Sequence, residues 1–222
     1  MGKTILTPTQ RKFLECIQSK DEITRWFYLT GGTALSEFYL HHRLSEDIDL
    51  FSRSEVDDKT IDKFLDDIRL QMQITSVKKD HISGLFVYKL SFSNGETLKV
   101  DFNEYVFEPI EKSNIHFGKL QVDSFYDIAV NKAYTLSGRF KSRDFIDLYF
   151  ILIRNEFSFE QILARVPDKF GVQIDAVFYA SQLLRAGDLP KDYPPMLVPF
   201  EFADMVNFFV KEAKRLGKKA FK

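Results

Sequence analysis

Three acids and a pair of glycines carry the chemistry open to this sequence. Residues 29–51 read LTGGTALSEFYLHHRLSEDIDLF, with Gly31, Gly32 and Thr33 at one end and Asp47 and Asp49 at the other. Backbone N–H groups at a helix N-terminus bind phosphate, and glycine lets that backbone come close because it has no Cβ. The Thr33 hydroxyl offers one more donor to a phosphate oxygen. Asp47 and Asp49 alternate with apolar residues, so a strand puts both carboxylates on one face. Paired carboxylates suit Mg²⁺, a hard cation that prefers oxygen. A third acid on a neighbouring strand completes a site for two ions, which clamp the attacking and leaving oxygens of an in-line displacement. Asp101 is the candidate. It lies mid-strand after an Asn94-Gly95 turn, with Leu98, Val100 and Phe102 on the other face. It is the expected third ligand and an acceptor for the nucleophile's proton.

Taken singly, each feature has a plainer reading. A Gly-Gly pair before a helix is a turn, and an Asp-x-Asp pair is solvated strand polarity or part of a Ca²⁺ loop. The joint order is more specific: strand, Gly-Gly-Thr, helix, Asp-x-Asp strand, then a strand acid about fifty residues on. It predicts a site where a nucleoside triphosphate meets metal ions.

The elements needed to position those residues are legible in the apolar spacing. Residues 8–24 read as a helix with Phe13, Leu14, Ile17 and Ile23 inward and Thr9 as cap. Residues 27–29 form a short buried strand, and a helix runs from Thr33 to about His42. Residues 61–70 form an amphipathic helix. Strands follow at 72–77, 85–92, 97–106 and 119–122, the middle pair joined by the Asn94-Gly95 hairpin turn. From Ser124 the pattern turns helical. Ser124 with Asp127 resembles a capping box, and helices are expected at 124–137, 142–153, 158–166, 172–184 and 200–216. Pro190, Pro194, Pro195 and Pro199 stiffen the connection before the last. The expected class is α+β, a mixed sheet with flanking helices followed by a helical half, with domains at 1–122 and 123–222.

Composition narrows the partners. The chain has 222 residues, 45% of them hydrophobic, including 23 Phe, so a sizeable core is available. A net charge of -1 argues against coating nucleic acid by overall charge, so any such contact is local. Cys16 is the single cysteine, which excludes an internal disulfide and a thiolate cluster. No signal-peptide pattern follows Met1 and no apolar run is long enough to span a bilayer. A reducing, cytoplasmic location without membrane contact is expected.

Gly32-Thr33 followed by Asp47 and Asp49 is similar to the signature of the DNA polymerase β-like nucleotidyltransferase superfamily. The longer run GGTALSEFYLHHRLSEDIDLF resembles one branch, the abortive-infection nucleotidyltransferase toxins of the AbiEii/AbiGii group. LKVDF around Asp101 and DIAVNKAYTLSGRFKSRDFIDLYFIL from Asp127 to Leu152 are similar to later motifs of that branch. The resemblance covers about residues 25–155. It implies that Gly31, Gly32 and Thr33 bind the triphosphate and that Asp47, Asp49 and Asp101 hold two Mg²⁺ ions. It implies further that Lys132 reaches the nucleotide phosphates and that Asp144 orients Lys132 or a neighbouring group. Arg43 would touch phosphate or brace its loop. The superfamily more often has Ser where Thr33 stands.

Without the resemblance, the helical charges read as a solvated face. Lys132 and Arg139 are seven apart and share a helix side, and Arg143 and Asp147 form an ordinary i, i+4 pair. His41 and His42 read as helix-end residues favourable to the dipole when charged, or as metal ligands.

The resemblance implies transfer of a nucleotide from an NTP to an acceptor hydroxyl with release of pyrophosphate. RNA, and tRNA in particular, is the expected acceptor, in a toxin–antitoxin or phage-defence setting with a cognate antitoxin protein as partner. Lys211, Lys214, Arg215, Lys218, Lys219 and Lys222 concentrate positive charge in the last twelve residues, either to grip RNA phosphates or as a solvated helix end. Two other readings stand beside this one. The same chemistry could act on a small molecule or protein hydroxyl, or the chain could be a nucleotide- or partner-binding module without catalysis.

Overall fold

The computed structural model describes residues 4–220. Its first helix, α1 (Pro8–Gln18), begins where Thr7, not Thr9, can cap it. The Thr7 hydroxyl accepts from Gln10 N–H at 3.1 Å, and the Gln10 side chain returns to Thr7 N–H at 3.0 Å. Pro8 suits this position because the first turn needs no donor from it. The helix breaks at Ser19 and resumes as α2 (Asp21–Thr24). Strand β1 (Phe27–Thr30) is buried throughout and feeds α3 (Gly31–Leu35), which widens into a π-helical turn at Ser36–Leu40. His41, at φ +49°, stops it. The expected helix therefore starts two residues early and ends before His42.

Strand β2 (Asp47–Ser52) follows, then α4 (Asp58–Met72), capped by the Asp57 side chain. Met72, expected to open a strand, closes this helix, and Gln73 turns the chain in the left-handed conformation at φ +57°. Three antiparallel strands come next: β3 (Ile74–Ile82), β4 (Leu85–Phe92) and β5 (Thr97–Glu104). Two short strands, β6 (His116–Phe117) and β7 (Leu120–Val122), end the series.

The seven strands form one mixed sheet in the order β3-β4-β5-β2-β1-β7-β6. β5 and β2 are parallel, as are β1 and β7; the other neighbours are antiparallel. Strands β2 and β5 bury alternate residues. Ile48 and Leu50 of β2 and Val100 and Phe102 of β5 are fully enclosed, while Asp47, Asp49, Phe51 and Asp101 keep partial exposure. Phe102 meets Phe27 and Tyr88 edge to face, with centroids 5.1 and 5.7 Å apart.

The chain divides into two compact units. The sheet and α1–α4 lie in the first, made of residues up to Tyr39, Leu44–Glu108 and Lys112–Ser124. The second takes Leu40–Arg43, Pro109–Glu111 and everything from Phe125 on. Its helices are α5 (Phe125–Thr135), α6 (Ser142–Ile153), α7 (Phe159–Ala164), α8 (Val166–Phe170), α9 (Ala176–Leu184) and α10 (Phe202–Ala220). The helix expected at 158–166 ends at Ala164, and a second short helix begins at Val166 with Pro167 in its first turn. Phe145 of α6 meets Phe209 of α10 at 5.7 Å and a right angle. The proline-rich connection before α10 is anchored on residues 42–43, through Leu197 N–H to the His42 carbonyl at 2.9 Å and a bridge between Arg43 and Met196.

The architecture is the expected α+β class, a mixed sheet with flanking helices and then a helical half. Among the described residues no helix is long and apolar enough to cross a membrane. Lys222 and the side chain of Lys219 lie outside the described residues.

Candidate active site

Backbone pairing brings the three acids of the first unit together. In the parallel pair β2–β5, Asp49 stands opposite Asp101 and Asp47 opposite Lys99. On the other side, Thr30 of β1 stands opposite Asp49. Directly paired residues share a face, so Asp47, Asp49, Asp101 and Lys99 all project from one side of the sheet.

The glycine pair meets the acids at close range. Gly31 has φ +72°, a conformation that only glycine adopts freely. A Cβ built on it would lie 2.7 Å from Asp49 Cγ and 2.9 Å from Asp49 Cβ, with Oδ2 closer still. The missing side chain of Gly31 therefore makes room for the Asp49 carboxylate. Thr33 is fully buried, and its hydroxyl donates to the Asp47 carbonyl. The donor expected to face phosphate instead ties α3 to the first residue of β2.

The acids are not alone on their face. Lys99 Nζ lies 2.5 Å from Asp101 Oδ2 and 3.4 Å from Asp47 Oδ2. Burial acts to lower the Lys99 pKa, but the hydrogen bond to Asp101 and the charges of Asp101, Asp47 and Asp49 outweigh it, so the ammonium is held more firmly than usual. The other oxygen of Asp101, Oδ1, is buried without a hydrogen-bond partner. A buried lone acceptor of this kind calls for a donor or a cation. Three carboxylates on one sheet face, one of them with an orphaned oxygen, are the hard donors that Mg²⁺ prefers. Among the described residues no three His, Cys, Asp or Glu groups converge tightly enough to hold an ion as they stand. The cation that sits among the carboxylates is the Lys99 ammonium.

The second unit holds a separate cluster of buried charge, centred on Asp147. Arg43 grips this carboxylate with both arms, Nε to Oδ1 at 2.7 Å and Nη2 to Oδ2 at 2.8 Å. His42 Nε2 lies 2.8 Å from Oδ1 and Lys132 Nζ 2.6 Å from Oδ2. One turn earlier on α6, Asp144 takes Lys132 Nζ at 3.1 Å and Arg139 Nε and Nη2 at 2.8 and 2.9 Å. Both acids are fully enclosed. Burial pushes their pKa values up, but the cations prevail. Arg43 and Lys132, with the His42 hydrogen bond, hold Asp147 well below the usual carboxylate range; Lys132 and Arg139 hold Asp144 below it.

Several expectations change here. Asp147 is no solvated partner of Arg143 but the hub of the cluster. Arg43 is 3% exposed and held by both Asp147 oxygens, which is the geometry of a brace. Burial lowers the His42 pKa despite Asp147, so the ring is neutral at pH 7 and donates its Nε2 proton to the carboxylate. It is not a charged helix end. Helix α5 stops at Thr135, so Arg139 does not share its face with Lys132; a turn brings both to Asp144. Lys132 and Asp144 come together as expected.

Strand alternation puts Lys99 on the face of Asp101, but sequence reasoning gave it no role, and it undervalued Asp147. The signals were the two-residue spacing of Lys99 from Asp101 on one strand face and the three-residue spacing of Asp147 from Asp144 on one helix face.

Comparison with known proteins agrees with the fold and the family resemblance. The profile of the family described as "Nucleotidyl transferase AbiEii toxin, Type IV TA system" matches residues 12–211. The uncharacterized protein aq_aa25 of Aquifex aeolicus (strain VF5) is 28% identical over 214 residues, covering 94% of this chain and 96% of that protein. The crystal structure of JHP933 from Helicobacter pylori superposes with a TM-score of 0.56 at 17% identity, covering 94% of this chain and 90% of its own. MenT4, the nucleotidyltransferase toxin Rv2826c from Mycobacterium tuberculosis H37Rv, gives 0.54 at 12% identity, covering 94% and 85%. At these identities the two structures speak to the fold. The profile match, spanning nearly the whole chain, places this protein in the AbiEii family of nucleotidyltransferase toxins, and the chain is a nucleotidyltransferase.

Proposed function

We propose that this enzyme is Mg²⁺-dependent, works in the cytoplasm, and moves a nucleotide from an NTP to a hydroxyl of RNA, with tRNA as acceptor and a cognate antitoxin protein as its regulator. The observation that carries the chemical part is the pairing of Asp49 with Asp101 beside Gly31. The acceptor reading rests on the family.

In this reading Asp47, Asp49 and Asp101 hold two Mg²⁺ ions. Bound there, such ions would supply charge neutralisation at the triphosphate. The chain's own groups do the rest. Backbone N–H groups at Gly31, Gly32 and Thr33 bind phosphate oxygens. Lys132, aimed by Asp144, is assigned to the nucleotide phosphates. The acceptor hydroxyl oxygen bonds to the α-phosphorus as the bond from that phosphorus to the bridging oxygen breaks. Pyrophosphate leaves, and the hydroxyl proton passes to a carboxylate oxygen, for which Asp101 is the candidate.

The test is transfer of label. The protein is incubated with each α-labelled NTP, Mg²⁺ and either total tRNA or no acceptor. Label on tRNA that disappears with Asp49→Asn supports the proposal. Label on the protein alone moves the acceptor to a protein hydroxyl, and transfer by Asp49→Asn at the normal rate removes the carboxylate assignment.

A further inference from the structure

We propose that Lys99 is a positioning residue that acts as a resident cation of the carboxylate site, present in the free enzyme and displaced when divalent ions load. This rests on the metal reading above. The observations are local to two strands. Lys99 is in register with Asp47 and two residues from Asp101, so it shares their face. Its ammonium contacts both, at 3.4 and 2.5 Å.

The physical argument begins with repulsion. Asp49 and Asp101 face each other across one strand pair with Asp47 next along β2. Like charges directly opposite on a sheet destabilise it. An ammonium among them offsets that cost while no metal is bound. The side chain of Lys99 is 40% exposed, against 14% for Asp101, so its arm can swing into water while the carboxylates stay in place. A lysine carries a compact charge on a flexible stem, which suits a counter-ion that must leave. A divalent ion brings twice the charge to the same oxygens and wins at sufficient concentration. Asp101 Oδ1, which Lys99 does not satisfy, is already in place to receive it.

Competition has a measurable consequence. Lys99→Gln removes the resident cation, so the free protein should bind Mn²⁺ more tightly, by about five- to tenfold, in titrations followed by electron paramagnetic resonance without nucleotide. Mn²⁺ should also raise the melting temperature of Lys99→Gln more than that of the wild type. Lys99→Arg, which keeps a cation, should stay near the wild-type affinity. Equal or weaker Mn²⁺ binding by Lys99→Gln, with binding still lost in Asp49→Asn, overturns the resident-cation role and leaves the carboxylate site standing. Unchanged Mn²⁺ binding in Asp49→Asn removes the metal reading itself, and this inference with it.

Discussion

The carboxylate of Asp49 occupies the space that a side chain on Gly31 would need. The first glycine of the pair is thus required by an acid eighteen residues later, whatever binds in front of it. Gly31→Ala places a methyl group against that carboxylate at a positive φ. The backbone strain alone costs roughly 1 kcal/mol. The added methyl lies so far inside contact distance that the Asp49 carboxylate must move by about an ångström, which should lower transfer activity about a hundredfold. Circular dichroism should remain native while label transfer falls. Full activity in a folded Gly31→Ala protein would show that the Asp49 position does not matter.

Thr33 offers a test of the link between α3 and β2. Its buried hydroxyl donates to the Asp47 carbonyl, so Thr33→Val should destabilise the protein by about 1 kcal/mol, while Thr33→Ser keeps the bond and most of the stability. Urea unfolding midpoints of the three proteins decide it.

Asp147 balances two buried cations. Asp147→Asn keeps the shape but leaves Arg43 facing a neutral amide and Lys132 with Asp144 alone, so unfolding stability should drop by about 3–5 kcal/mol. Asp144→Asn should cost less, because its Arg139 partner is 46% exposed on the side chain and can turn to water. The ranking in chemical denaturation is the readout. A reversed order would remove Asp147 as the hub.

His42 sets a pH dependence whose sign follows from its burial. Its folded pKa lies below the ordinary 6.5, so on acidification the unfolded chain takes up a proton at this site before the folded one does. Stability should fall as pH drops through 6.5 toward the folded value. Asp147 acts lower. Its stabilisation is complete above the unfolded carboxylate value of 3.8 and is lost only as pH falls through the well-depressed folded one. Urea unfolding between pH 7.5 and pH 5 should therefore slope in the wild type and flatten in His42→Gln, which retains a donor for Asp147.

The sequence by itself determined the local chemistry. A glycine pair ahead of a helix, acids at two-residue spacing and alternating apolar strands follow from residue type and period, which need no long-range information. Hence the shared strand face of Asp47 and Asp49, the strand position of Asp101 and the α+β class were legible, while Lys132 and Asp144 stood out only through the family resemblance. Element ends were less so: Met72 carries an apolar side chain that suits either state, and Gln73 gives no glycine to mark the helix stop. Only the tertiary structure decided register and burial. Pairing β2 with β5 put Asp49 against Asp101 and Asp47 against Lys99, relations between residues about fifty apart that no local pattern encodes. Asp147 and Arg43 are 104 residues apart, and on paper Asp147 looks like a solvated charge and Arg43 like a phosphate contact or a loop brace. The fold removes both from water, and once desolvated neither charge is stable without the other.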